Sequence, residues 1–305
     1  MTAVSEAITT ADGGPEAPAR RRGWRGPRRN PAAVVVWYAT LLVLGLIVLY
    51  PIVWLIFATF KPSSEFGRNA GLMPWEPTLA NYINVWDGIA GIPLWRYVLN
   101  SLLVASLAVV GTLVSSSLTA YAFARIAYKG SGVFFAAMIG TLLLPVHVII
   151  IPQYIIFQKL GFVDTYVPLL IGKFLAADAF FVFLMVQFIR NIPRELDEAA
   201  RIDGAGHLRT FRSIILPNLR PALVTSGIFT FIWTWNDFLS PLIYLTTPKN
   251  YTLPIALRLF NDTTTTSDYG ATVAVSFLAL IPVLLFFLVF QRLLIQGVST
   301  QGLKG

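Results

Sequence analysis

Apolar and polar positions in this chain fall into long blocks, not into the short alternation of strands. Six apolar runs, 34–60, 98–124, 133–157, 166–190, 221–245 and 270–292, are separated by polar connectors. At about 1.5 Å of rise per residue, each can cross a hydrocarbon core of about 30 Å. The pattern predicts an all-α membrane protein of six transmembrane helices. The longest polar interval after the N-terminus runs from Asn191 to Pro217. Within it Leu196, Ala199 and Ala200 share one helical face, which predicts a short amphipathic helix with Asn191 as its cap and Pro193 in its first turn. Gly204 and Gly206 supply the left-handed backbone that ends a helix. Leu208, Phe211 and Ile215 form a second stripe, which Pro217 is expected to stop. Alanines on such a face favour docking against a protein, because lipid-surface helices carry bulkier apolar residues.

Composition agrees with the block pattern. The 305 residues are 56% hydrophobic and 12% charged, whereas a soluble domain carries about 25% charged residues. There is no cysteine, which excludes a disulfide framework and any thiolate nucleophile or metal ligand. The net charge of +8 could point to nucleic acid, but its distribution points to a membrane. Residues 1–33 form a tail that reads as disordered over its Ala-, Thr-, Gly- and Pro-rich first part. Six arginines follow, from Arg20 to Arg29, just before the first apolar run. That run is too long for a signal peptide, so the arginines read as an anchor near anionic lipid and not as a nucleic-acid arm. With the tail inside, sixteen Lys and Arg residues lie on the cytoplasmic side and six outside. This bias places both termini and the 191–217 loop in the cytoplasm. The largest outer connector, Lys61 to Tyr97, carries Trp75, Trp86 and Trp95, which suit an interfacial belt or contact with an external protein. It is too small to be a ligand-binding domain.

Polar residues inside apolar runs are functional candidates, because they are costly in lipid. Lys173 and Asp178 lie within the fourth run. On a continuous helix they are about 140° apart, which is not the ideal i,i+4 spacing of an ion pair, so at least one is expected to face another helix or water, and Lys173 can snorkel outward. Asp178 suits either a cavity or a bond to a neighbouring helix. In the fifth run, Asn236 and Asp237 stand beside Trp233 and Trp235, a mixture of amide, carboxylate and indole that suits a sugar as well as an interfacial helix end. In the third run, Pro145 and Pro152 are expected to break the helix beside His147, Gln153 and Tyr154, and freed backbone is tolerated only against protein or a cavity. His147 has no partner at metal-ligand spacing, so no metal site is expected. The chain has no G-x-x-x-x-G-K-[ST], H-E-x-x-H or G-x-S-x-G motif, which argues against an ATPase, a metalloprotease and a serine hydrolase.

The interval 191–217 also carries a resemblance. Glu198-Ala199-Ala200, three residues, Gly204, nine residues, then Ile214-x-Leu216-Pro217 resembles the EAA loop of ABC importer permeases. PIVWLIFATFKPSSE (51–65), PTLANYINVW (77–86), NSLLVA (100–105), TAYAFAR (119–125) and IPQYIIFQKLGFVDTYVPLLI (151–171) are similar to the second permease of the carbohydrate, maltose-like, branch. So are FIRNIPRELDEAARIDGAG (188–206), FIWTWNDFLSPLIYL (231–245) and the terminal QGLKG. The similarity covers about 34–305. The Arg-rich tail departs from it.

The resemblance implies a type I importer permease fold over 34–305 and a non-catalytic subunit that moves a sugar or sugar derivative. It implies that Glu198, Ala199, Ala200, Arg201, Asp203 and Gly204 meet a cytoplasmic ATPase. The implied partners are a second permease, two ATPase subunits and an extracytoplasmic solute-binding protein, besides membrane lipid and without nucleic acid. The implied setting is a bacterial inner membrane. No cofactor is expected on this chain, and ATP and Mg²⁺ belong to the ATPase. The competing class is a stand-alone secondary transporter driven by an ion gradient. It would need a coupling site, for which Asp178 is the candidate, and an internal repeat, which the sequence does not display.

Overall fold

The structure, a computed structural model, describes residues 31–88, 91–262 and 268–299. Most of the tail expected at 1–33, together with Lys304 and the QGLKG ending, lies outside the described residues. The chain divides into two units, Met1–Pro51 and Ile52–Gly305. The described part of the first is the apolar beginning of α1 (Pro31–Ala58).

In the second unit, α2 (Ala80–Asp87) and the long α3 (Leu94–Arg125) are followed by α4 (Ser131–Thr141) and α5 (Val146–Lys159). Next come α6 (Val167–Phe174), α7 (Ala179–Arg190) and α8 (Glu195–Ile202). The short α9 (His207–Thr210) passes through a π-helical turn, Phe211–Ile215, into α10 (Leu216–Asn218). The chain ends with α11 (Arg220–Trp235), α12 (Leu239–Tyr244), α13 (Leu253–Asp262) and α14 (Tyr269–Ser299). No strand occurs among the described residues, so the all-α expectation holds.

Fewer than six stretches pass as uninterrupted spans among the described residues. Among the described residues, four stretches are long and apolar enough to cross a membrane: Pro31–Ala58, Leu94–Arg125, Val167–Arg190 and Tyr269–Gln291. A fifth results if His207–Asn218 and Arg220–Trp235, bent by 76°, form one broken span. The expected third span is split between α4 and α5. Pro145 stands at the N-cap of α5 in extended conformation, where its missing N–H and its restriction on the preceding residue stop a helix. Pro152, expected to be a second break, sits inside α5 without interrupting it. The expected fifth span is split at Asn236–Phe238, between α11 and α12.

The fold is built around α3, which packs against α6, α7, α11 and α13. The sequence explains why so many helices reach it. Ala108, Thr112, Ser116, Ala120 and Ala124 recur every fourth residue, and all are buried. A ridge of small side chains lets neighbouring backbones approach closely when lipid offers no hydrophobic drive. Gly111 marks the closest approach: a Cβ there would stand 2.8 Å from the Phe174 ring on α6.

The connectors around Lys61–Asn81 and before α14 are held by side-chain hydrogen bonds. Lys61 is buried and donates to the carbonyls of Asn69 (3.1 Å) and Gly71. Its charge is therefore enclosed, although the topology count treated it as an outer surface charge. Asn81 donates to the carbonyls of Thr59 (2.7 Å) and Lys61 (2.8 Å). Asp268 accepts from the Ser63 hydroxyl, the Ala271 amide (3.0 Å) and the Asn84 amide group (3.3 Å), which fixes the start of α14. Trp75, Trp86 and Trp95 remain exposed.

Candidate functional site

The interval 191–217 forms a helix, a turn and a second helix, with boundaries that differ from the sequence pattern. Asn191 ends α7 as its C-cap, and α8 begins only at Glu195, after Arg194. Its first turn holds Glu195, Asp197 and Glu198, charges that suit the positive end of a helix dipole. Asp203 caps the other end. The Gly204 amide then donates to the Arg201 carbonyl (3.0 Å) and the Ala205 amide to the Ala200 carbonyl (2.8 Å). With Gly204 at φ +77°, this is the pair of bonds that closes a helix through a left-handed glycine. Gly206, expected to be left-handed too, is extended at φ −75°, ψ 171°. Pro217 does not stop the second helix; it lies within α10, and the chain turns at Leu219.

Sequence spacing grouped Leu196, Ala199 and Ala200 as one face, but the structure divides them. Ala200 is buried, three residues after the inward-turned Asp197. Leu196 and Ala199 point outward and continue to Ile202, which is 88% exposed. Glu198, Arg201, Asp203 and Gly204 are exposed as well. The second stripe is also divided. Phe211 and Ile215 are buried in a core cluster with Ala120, Val182, Met185 and Ala222, whereas Leu208 stays 74% exposed. The loop is thus covered by its own chain on one side and bare on the other.

The buried side meets the end of α3. Arg125 Nε lies 2.6 Å from Asp197 Oδ2, with the two side chains 5% and 14% exposed. The same guanidinium donates to the Ile192 carbonyl. One turn earlier, the Tyr121 ring packs on Phe211 at 5.3 Å and edge-on to His207 at 6.5 Å. A cavity of about 220 Å³ opens here, lined by Tyr121, Arg125, Asp197, Arg201, His207 and Thr210 among others. Arg125 and Asp197 escape a sequence reading because 72 positions and four helices separate them.

Lys173 and Asp178 do pair. Lys173 Nζ is 2.9 Å from Asp178 Oδ2 and 3.2 Å from Oδ1. The Val167–Arg190 span is interrupted between α6 and α7, where Ala176 takes φ +55°, and the break returns Asp178 to Lys173. Asp178 also accepts from the buried Thr112 hydroxyl at 3.2 Å, and Ser115 Oγ donates to the Lys173 carbonyl at 2.6 Å. Both donors belong to α3, so the break is held by the central helix.

The remaining substrate-path candidates lie on separate elements. Trp235 is 2% exposed and its indole N–H donates to the Ala279 carbonyl on α14 (3.2 Å), so its face is covered. Asn236 is exposed and bonds its own helix at Ile232 (2.7 Å). Asp237 accepts from the Ser240 amide (3.2 Å) at the start of α12. Tyr154 stacks on Tyr244 with ring centres 6.2 Å apart, and Gln153 beside it is exposed. No group of three or more metal-ligating residues occurs among the described residues.

Residues 129–300 match the family described as binding-protein-dependent transport system inner membrane component. The arabinooligosaccharides transport system permease of Halalkalibacterium halodurans is 32% identical, over 91% of this chain and 100% of that one. The trehalose/maltose transport system permease of Thermococcus litoralis is 31% identical, over 87% and 94%. The diacetylchitobiose uptake system permease of Streptomyces coelicolor is 31% identical, over 86% of each. A crystal structure of a bacterial ABC transporter, described as importing the acidic polysaccharide alginate, superposes with a TM-score of 0.76 at 23% identity. It covers 88% of this chain and 98% of its own, and it establishes the fold. The chain therefore belongs to the inner membrane components of binding-protein-dependent transport systems, as a non-catalytic permease subunit of an ABC importer.

Proposed function

We propose that this chain translocates a sugar or sugar derivative and is driven through its 191–217 loop by a separate ATPase. The carrying observation is the bare apolar side of that loop: Leu196, Ala199 and Ile202 on α8, with Leu208 beyond Gly204. Fully burying a side chain of the size of Ile or Leu is worth about 1.5–3 kcal/mol, so a partner that covers this side gains a stable seat. Glu198, Arg201 and Asp203 surround it and give the seat a charged rim. In this reading residues 34–305 are the membrane domain and 1–33 a basic cytoplasmic tail, with both termini inside. The full machine holds a second permease, two ATPase subunits carrying ATP and Mg²⁺, and an extracytoplasmic solute-binding protein. ATP-driven closure of the ATPases rocks the two permeases between inward-open and outward-open states. Three relatives whose names refer to oligosaccharide or disaccharide transport support the sugar class.

Reconstitution in vesicles tests this. The chain alone should hydrolyse no ATP and move no sugar. With its companion permease, ATPase and binding protein, oligosaccharide uptake should require internal ATP and persist without an ion gradient. Gradient-driven uptake by the chain alone would overturn the proposal.

A further inference from the structure

The clasp between Arg125 and Asp197 has a position that suggests a task. Arg125 is the last residue of α3, the helix against which most of the fold packs. A cation there suits the negative end of the helix dipole. Its guanidinium holds two points of the loop at once, the Ile192 carbonyl before α8 and the Asp197 carboxylate within it. Tyr121, one turn back on α3, meets His207 and Phe211 after α8. The last turn of α3 therefore grips the loop before, within and after α8. A cavity of about 220 Å³ lies beside the pair, and Ala200 is the one residue of α8 in the buried core. Removing one partner of a charge pair this enclosed is costly, whereas an exposed pair would contribute little.

We infer that the Arg125–Asp197 pair is a positioning link that makes α3 follow the movement of α8 when the ATPase closes. The inference rests on the reading that α8 seats an ATPase. Glu198, next in sequence, is exposed and faces the partner; Asp197 faces the chain's own core. Neighbouring acidic residues thus serve opposite sides of the helix. If the link is lost, α8 still presents its bare apolar side and the complex still forms, but the push dissipates before it reaches α3.

The test uses the complete transporter in vesicles, with Asp197→Asn, Arg125→Gln, the double variant and Arg125→Lys. Assembly, basal ATP hydrolysis and sugar taken up per ATP are measured separately. Each single neutral variant should assemble and hydrolyse ATP, while uptake per ATP falls about tenfold, within the usual range of coupling between sites. The double variant should be no worse than the poorer single one, because both remove the same link. Arg125→Lys, which keeps the charge, should recover part of the loss. Unchanged uptake per ATP in Asp197→Asn and Arg125→Gln overturns the inference. Failure of both to assemble overturns it too, since the pair would then build the fold and not transmit motion. Ile202→Asp distinguishes the underlying reading: it should release the ATPase. If Ile202→Asp leaves the ATPase bound and coupled, the seat itself is misplaced, whatever the Arg125 variants do.

Discussion

Lys173 and Asp178 are joined by an ion pair of 2.9 Å although five positions separate them in one span. An unbroken helix would point them about 140° apart. The pair exists because α6 ends at Phe174, Ala176 turns left-handed and α7 restarts at Ala179. Lys173 lies in the last turn of α6 and Asp178 at the cap of α7, so each charge also meets the favourable end of a helix dipole.

Removing one partner should hurt more than removing both. Asp178→Ala leaves a cation in an apolar bundle and should cost on the order of 1–3 kcal/mol, discounted because both side chains are about a quarter exposed. Lys173→Met combined with Asp178→Leu should regain most of that stability. If Asp178 lines the substrate path, transport stays low in the double variant. The cysteine-free chain also permits Asp178→Cys, whose thiol should then react with a water-soluble reagent in the resting or the ATP-trapped state. Restored transport in the double variant, with an unreactive thiol, would assign the pair to structure alone.

At the start of α14, Gly270 leaves no room for a side chain. A Cβ there would lie 2.2 Å from Asn81 Oδ1. Asn81 cannot simply swing aside, because its amide donates to the Thr59 and Lys61 carbonyls. Gly270→Ala should lower stability by about 1–3 kcal/mol, the usual range for overpacking a tight site. Thermal unfolding in detergent reads this as a fall in Tm. An unchanged Tm would mean that the connector yields without loss.

The helical membrane class was legible because runs of over twenty apolar residues allow few alternatives. The left-handed turn at Gly204 was legible from glycine chemistry. The breaks were not. Pro145 interrupts its span and Pro152 does not, and the interruption after Phe174 involves no proline at all. That last break is held by Thr112 and Ser115 of α3, more than fifty residues away. The loop shows the same limit. Helical spacing placed Leu196, Ala199 and Ala200 on one face, whereas only Ala200 is buried. Ala200 turns inward on the side of Asp197, which pairs with a distant enclosed arginine, while Leu196 stays exposed. Local periodicity contains no information about that partner.

Gly204 supplies the third prediction. An L-residue at φ +77° costs about 1–2 kcal/mol, and a β-branched one more. A Cβ at Gly204 would meet nothing of its own chain within 4 Å, so any steric loss beyond the turn arises against the partner. Gly204→Val should insert in the membrane normally but lose uptake while the ATPase keeps hydrolysing. Gly204→Ala should lie between. Wild-type uptake per ATP in a well-expressed Gly204→Val protein would sink the prediction.

The last prediction concerns acid. Asp164 lies between α5 and α6 in the left-handed region, at φ 64°. Burial alone would raise its pKa, but the Thr247 hydroxyl, the Thr247 and Thr246 amides and the Asn250 side chain oppose this and hold the carboxyl well below its usual range. Both amides stand 2.9 Å from Oδ1. A carboxyl lowered on folding gives stability that is complete above its unfolded pKa of about 3.9. That stability disappears as the pH falls through the lower folded value. The connector between α5 and the segment after α12 should therefore be indifferent to pH near neutrality and loosen only below about pH 4. Asp164→Asn keeps an acceptor and tolerates the left-handed backbone but cannot be ionised. At neutral pH its Tm should fall below that of the wild type, and the gap should shrink as the solution is acidified. A gap that stays constant down to about pH 3 would show that the charge on Asp164 contributes nothing, leaving its geometry as the whole of its effect.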